Sequence, residues 1–517
     1  MMKTKYVFLA MAFVSVPTLA QETYENAKLV GNDLNGTARY VGMGGAMEAL
    51  GADISTISSN PAGIGLFRHS ELKVSASGVF QHEAPSYASG DKSHASFDQV
   101  GLVWASRSDQ NSFLNFGFNY HKSKNFDYIL GAANHLSNAS SNKLTYQKYR
   151  NGYFESDYND AYKSSVDYLN LKGFNMENDK VNYVANAYQM NRENYGYIGD
   201  YDFNISANID NCVYLGLTIG YKDVNYRYRG VYSESMVGDN QNYTVNYGDA
   251  RQIDGDGVDV KFGLIVRPIE TSAFRFGVYV QSPTWYDLTM NTQSYIQGSL
   301  SDKPISESYD FKIVTPWRFG FSLGHTVGNY LALGATYEYA DYGSTKTRIN
   351  DGVEYSYDPY DWYGYDYYET SHNDKYMNDH TKETLKGVSL LKLGLEYKPV
   401  TNLAIRLGYN YESALYNKES SKGVYTSGNL VPSEGTYYTS SADYTNWKAT
   451  NRFTCGLGYS LKGWSFDVAY QYSAQNGEFY PFTSYIDSTD AAEDNVPTMT
   501  EVKNNRSQLL FTLGYHF

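Results

Sequence analysis

Cysteine is nearly absent: Cys212 and Cys455 are the two in 517 residues, so no disulfide framework holds this chain, although one bridge between them stays open. Positive charge is also scarce. Lys and Arg number 42 against 56 Asp and Glu, a net charge of −14, which argues against nucleic acid as a partner because phosphate binding needs a basic surface. Past the first twenty residues no run of eighteen or more apolar residues occurs, which excludes helical membrane spans. The 9 histidines are scattered, and none pairs with another at helical or short-strand spacing. No metal site and no cofactor is expected.

Aromatic residues are abundant. Tyr occurs 54 times, and mean hydropathy is −0.51 although 42% of residues are hydrophobic. That mixture is too aromatic for a disordered chain and too polar for a helical membrane protein. The start, Met1-Met2-Lys3-Thr4-Lys5, an apolar run from Tyr6 to Val16 and then Thr18-Leu19-Ala20, reads as a signal peptide cleaved after Ala20. Export is therefore expected, and the absence of cysteine just after the cleavage site argues against a lipid anchor.

From residue 71 onward the dominant period is two. Leu114, Phe116, Phe118 and Tyr120 alternate with Asn115, Gly117, Asn119 and His121, and the pattern returns through Leu509, Phe511, Leu513, Tyr515 and Phe517. About fourteen such segments occur, near 71–80, 98–106, 112–121, 200–209, 212–221, 257–267, 273–282, 317–326, 330–340, 389–398, 402–413, 450–461, 464–474 and 507–517. An even number of roughly ten-residue alternating strands fits an all-β transmembrane antiparallel barrel. Short turns such as Val327-Gly328-Asn329 alternate with connections of seventeen to eighty residues, the asymmetry of periplasmic turns and external loops. A soluble sandwich also alternates. However, Lys261, Arg275, Glu338, Lys392, Glu396, Arg406, Arg452 and Asp467 all fall on the non-aromatic side, where a Lys or Arg turned to lipid would cost roughly 2–4 kcal/mol. The terminal Phe517 matches the assembly signal of outer-membrane barrels, which makes the barrel-assembly machinery, outer-membrane lipid and lipopolysaccharide expected partners. Asp351–Tyr376, dense in Tyr and Asp, reads as an external loop packed on the rim, with a ligand-capturing platform as the alternative.

Residues 21–70 do not alternate. Gly42, Gly44 and Gly45 precede an expected short helix around Ala46–Leu50, Asp53 is a candidate cap for Ile54–Ile57, and Asn60-Pro61-Ala62-Gly63 forms a knot before the first strand. Proline fixes its own φ and pushes Asn60 out of the helical region, while Gly63 and Gly65 permit a reversal into the wall. The segment suits a plug inside a lumen, giving an organisation of signal peptide (1–20), N-terminal hatch (21–70) and barrel (71–517).

The stretch "ARYVGMGGAMEALGADISTISSNPAGI", residues 38–64, resembles the hatch signature of the FadL-like outer-membrane transporters for long-chain fatty acids and other hydrophobic compounds, a family that includes members labelled hemin receptor. The resemblance implies a fourteen-stranded barrel, a hatch inside it, an apolar pocket against the hatch and a kink in an early strand that opens the wall sideways. It assigns ligand gating to Asn60, Pro61, Ala62 and Gly63, the hatch turn to Gly42, Gly44 and Gly45, and the kink to the third strand, with Gly117 as its weak point. Burial of about sixteen methylenes at roughly 0.8 kcal/mol each would hold a fatty acid tightly. Release then needs a conformational step, which a hatch held by few contacts would supply.

Passive uptake of hydrophobic ligands, most of all long-chain fatty acids, is the function so implied, in the outer membrane of a Gram-negative cell. Hemin or aromatic compounds are alternative cargoes, and an adhesin with Tyr-rich loops is an alternative role. An open porin conflicts with a plugged lumen. An enzyme would need a nucleophile and base aimed together, whereas Ser322 and His325, like the adjacent His69 and Ser70, point to opposite faces of their strands.

Overall fold

The computed structural model describes residues 23–84, 92–152, 164–174, 184–237, 242–297, 304–356, 366–426 and 441–517. The signal peptide expected over 1–20 lies outside them. The alternating segments form a closed, antiparallel barrel of 14 strands. We number them β1 (Glu71–His82), β2 (Ser93–Arg107), β3 (Phe113–Asn125, resuming at Tyr128–Ala139), β4 (Ala185–Ile209), β5 (Val213–Val237), β6 (Asn242–Val266) and β7 (Arg275–Gln281, Trp285–Gln297). There follow β8 (Ile305–Val314, Arg318–Val327), β9 (Leu331–Asp341, Lys346–Ser356), β10 (Asp366–Asn373, Gly387–Val400), β11 (Leu403–Glu412), β12 (Tyr444–Leu461), β13 (Trp464–Tyr480) and β14 (Thr500–Lys503, Asn505–His516). The seam closes where β1 pairs with β14, from Glu71 with His516 to His82 with Asn505.

All fourteen expected segments are strands, and each occupies the short-turn end of its strand. There the outward face is apolar, with Phe116, Phe118, Phe203, Ile205, Leu217, Ile219 and Phe262 exposed. This band is rimmed by Trp104, Tyr397, Tyr459, Trp464, Tyr515 and Phe517 at one edge and by Phe97, Tyr221, Trp285, Trp317 and Tyr339 at the other, the aromatic girdles of a membrane barrel. The charges expected to face the lumen do so, and Lys261, for example, is buried 2.7 Å from Asp202. Phe517 donates its backbone N–H to Ser70 O at 3.0 Å and sits against Tyr515 and Trp104. Cys212 and Cys455 are both free.

The expected long loops are in large part wall. β4, β5 and β6 are each 25 residues long, more than twice the nine to eleven or so that a bilayer needs. Beyond the outer girdle the apolar side of the alternation switches from outside to inside. Val224, Tyr226, Tyr228, Ile253, Leu288 and Met290 form a buried cluster with Leu29, while Asp256 and Asp287 face outward. Within Asp351–Tyr376, the ends form paired strands, Val353 against Glu369 among others, and the tip lies outside the described residues. Helices α3 (Ser141–Arg150) and α4 (Ser165–Phe174) close the outer end as a lid, packing Leu144, Val166 and Leu169 on Tyr188, Tyr247 and Phe479.

Candidate functional site

The segment from Thr23 to Phe67 runs through the lumen and is buried almost throughout. It contains α1 (Thr23–Leu29), α2 (Ala38–Gly42) and two 3-10 turns, Ile54–Ser58 and Pro61–Leu66. The expected helix over Ala46–Leu50 is not formed; the helix lies earlier, at α2. Gly44 and Gly45, with φ of +62° and +79°, end it, as left-handed residues do. Glu48 then turns outward as an acceptor for Lys392 at 2.7 Å, Tyr40 at 3.0 Å and Thr336 at 2.7 Å. Asp53 caps its turn as expected, accepting from Ser55 N, and takes the Thr37 hydroxyl as well. Glu396 receives Arg39 at 3.1 Å and Arg406 at 2.6 Å. These buried pairs tie residues 37–53 to β9, β10 and β11, so this part of the segment is not loosely held, contrary to the sequence-based expectation.

The knot is seated the same way. Asn60 caps the last turn by accepting Ala62 N, and its amide donates to Glu48 O at 2.9 Å. Pro61 O accepts the Ser206 hydroxyl at 2.8 Å. Ala62 packs with Tyr214 and Ile265, and Gly63 leaves room for Thr56, whose Oγ1 would lie 2.4 Å from an added Cβ. The wall meets this segment with glycines of its own. A Cβ on Gly216 would stand 2.3 Å from the Pro61 carbonyl carbon, on Gly334 1.9 Å from Ala46 O, and on Gly408 2.1 Å from Gly44 N. Backbone rests directly on backbone at these sockets.

A cavity of 230 Å³ lies on the lid side of this plug. Its aromatic lining includes Tyr24, which stacks on Tyr416 with centroids 5.1 Å apart, and Tyr128, edge-on to Trp447 at 5.6 Å. Its polar lining is rich in cations. Arg192 pairs with Asp443 at 2.5 Å and Arg452 with Glu412 at 2.9 Å, while Arg506 reaches the Asn125 carbonyl and no carboxylate among the described residues. Burial alone would raise Glu25, but Arg251 and Lys28 hold its carboxyl well below the usual carboxylate range. On the opposite side of the plug, a 340 Å³ cavity at the short-turn end is lined by Arg39, Arg68, Lys73, Glu396, Arg406 and Asp467. Aromatic side chains line the first cavity, whereas the second mixes these charges with Leu66, Phe67 and Leu403.

No protein-family model and no curated protein sequence matches this chain. Among solved structures, a Pseudomonas aeruginosa FadL homologue superposes with a TM-score of 0.50 at 11% identity, covering 94% of this chain and 99% of that one. The fold is that of a FadL-like barrel. The Ralstonia pickettii toluene transporter TbuX (TM-score 0.46, 10% identity) and the CymD monoaromatic hydrocarbon channel (0.48, 11%) also align, each over 94% of this chain and 99% of its own.

In this FadL-like barrel, Gly42, Gly44 and Gly45 meet β10, β11 and β12, and Asn60–Gly63 meet β4–β7, so the two motifs brace opposite parts of the wall. Gly117 does not mark the irregularity of β3. It is paired with Val103 on one side and Asn204 on the other, and its open face receives Ile57. The departure lies further along: β2 and β3 last pair at Gln99 and His121, the register with β4 shifts at Ser123, and the strand breaks between Asn125 and Tyr128. Ser322 donates to Gly277 O inside the lumen while His325 points the other way. The cavity residues, from Tyr24 to Arg506, share no sequence motif; barrel closure alone assembles them.

Proposed function

We propose that this protein carries hydrophobic or amphipathic small molecules across an outer membrane, long-chain fatty acids first among them, entering at the outer cavity and leaving sideways through the wall. The observation that carries this reading is the outer cavity itself, aromatic along Tyr24, Tyr128, Tyr416 and Trp447, with Arg506 at one end lacking a carboxylate among the described residues. That pairing suits an apolar body bearing a carboxylate. Lateral release through the wall is part of this proposal, with the break in β3 as its place. At 230 Å³ the cavity falls below the roughly 300–1,000 Å³ of typical ligand pockets, so a long chain enters only as the plug yields. Aromatic compounds are the second reading, favoured by the stacked tyrosines. Among the described residues no histidine lines this cavity, which lends hemin no support.

The test is uptake of labelled oleate by a Gram-negative host that lacks its own fatty-acid importer, with expression at the outer membrane confirmed. Uptake above the empty-vector control supports the reading. A well-assembled barrel that takes up toluene and not oleate would replace the cargo, and one that takes up neither would overturn it.

A further inference from the structure

We propose that Arg68, Arg107, Arg267 and Arg275 form a binding site for a phosphate group at the short-turn mouth of the bore, apart from the outer cavity and independent of the cargo proposed for it. Each stands at the end of an element on that side: Arg68 just before β1, Arg107 at the end of β2, Arg267 just after β6 and Arg275 at the start of β7. The alternation puts the last three in phase with lumenal residues, Arg107 with Val103, Arg267 with Ile265 and Arg275 with Gly277, so they face the bore and not the lipid. Arg68 and Arg107 lie over the same ring, 4.6 Å and 5.5 Å from the centroid of Phe113. Arg68 donates to the Asn211 side chain, and the next residue, Cys212, accepts the Arg267 backbone N–H at 2.7 Å. Arg275 lies within the field of both Arg68 and Arg267.

Further along the lumen, the cations Arg39, Arg406, Lys73, Lys261 and Lys392 each hold a carboxylate. None of the four arginines at the mouth has such a pair among the described residues. The carboxylates of the adjoining turns are engaged otherwise: Asp109 accepts Gln110 N at 2.7 Å, Asp210 accepts the Ser112 hydroxyl at 3.4 Å, and Glu270 receives Arg267 at its carbonyl. Like charges gathered without a counter-charge repel, and more strongly where protein displaces water. Two buried donors are also left over, Arg68 Nη1 and Arg275 Nε. The same guanidinium groups spend other donors on Asn211 and, at 3.0 Å, on Leu50 O. A buried donor without an acceptor is costly. An oxyanion answers both deficits, because its oxygens accept from guanidinium forks while its charge offsets theirs. With several arginines converging, a phosphate, which has more acceptor oxygens than a carboxylate, is the better match. Its source is a soluble phosphate ester of the periplasm or a phospholipid headgroup at the rim, where Arg107 lies just past the girdle residue Trp104.

The test uses the full chain purified in detergent at low salt, its barrel checked by heat-modifiable electrophoresis. Inorganic phosphate is titrated by calorimetry into the native protein, into the double variant Arg68→Gln/Arg275→Gln and into Arg150→Gln, which lies on the lid helix α3 and serves as control. Lipid that copurifies with each is identified by mass spectrometry. The site predicts affinity lowered at least about tenfold in the double variant, the loss of charge-assisted hydrogen bonds, and unchanged in the control. Should the double variant fail to assemble, Arg107→Gln, exposed at the rim, carries the comparison, with a loss of about threefold expected for an exposed charge. Phosphatidylglycerol retained by the native protein and absent from the arginine variant assigns the phosphate to a headgroup; arginine-dependent phosphate binding with no lipid retained assigns it to a soluble ester. Equal binding in native protein and arginine variants, or neither phosphate nor lipid held in an arginine-dependent way, overturns the site and leaves the transport reading standing.

Discussion

Glu234 makes the lid sensitive to pH. It lies on the outer part of β5, fully buried, accepting Ser141 N at the start of α3 and the Tyr232 hydroxyl, each at 2.7 Å, while its second oxygen has no partner. No cation pairs with it among the described residues, and burial raises its pKa from 4.5 to about 7 against the two hydrogen bonds that lower it. The buried lid ion pair, Lys148 with Asp167, joins α3 to α4 and travels with them. Opening the lid returns Glu234 to water. Between about pH 4.5 and about 7 the open form therefore loses its proton first, so closure weakens as pH rises and levels off above that window. At roughly 1.4 kcal/mol per decade, the full change is ~3 kcal/mol. Hydrogen exchange at the α3 amides, corrected for intrinsic rates, should show protection falling across this window in the native protein, and Glu234→Gln should hold it flat. A slope shared by both proteins, or one of opposite sign, refutes the argument.

Glu396→Gln removes the carboxylate that Arg39 and Arg406 share, leaving Arg406 its Asp467, and should destabilise the barrel by about 3 kcal/mol, the low end for a broken buried pair, in urea unfolding; a loss below about 1 kcal/mol would mean the cluster is solvated. Gly408→Val adds a side chain whose Cβ would stand 2.1 Å from Gly44 N, so the lumenal segment should unseat and single-channel conductance in a planar bilayer should rise. Conductance equal to that of the native protein would show that the segment is not what closes the lumen.

The membrane half of the barrel is legible in the sequence because its outward face is apolar and its inward face is charged, and every strand of that half follows from this contrast. The outer half is not, because Tyr, Asn and Asp make it resemble loop. Many of its tyrosines, Tyr226 and Tyr228 among them, are in fact on the inward, buried side. The Asn60-Pro61 knot is legible because a cap and a fixed φ are local properties. Glu48 is not, since its partners Lys392 and Thr336 lie hundreds of residues away and local composition favours a helix there. The break in β3 escapes for a related reason. Glycine marks many strands, and here the interruption is set by where β2 ends, a property of two strands rather than of one residue.

Ala38 donates its N–H to Thr512, 474 positions along the chain, and the strand carrying Thr512 also makes the final pairing with β1. Contacts of such sequence separation form late, because a long loop has to be closed before they repay its entropy. The N-terminal part of the folded chain is thus among the last to find its place, and the filling of the bore and the closing of the seam draw on the same strand. Before β14 meets β1, the barrel presents an unpaired edge and Ala38 lacks its Thr512 partner.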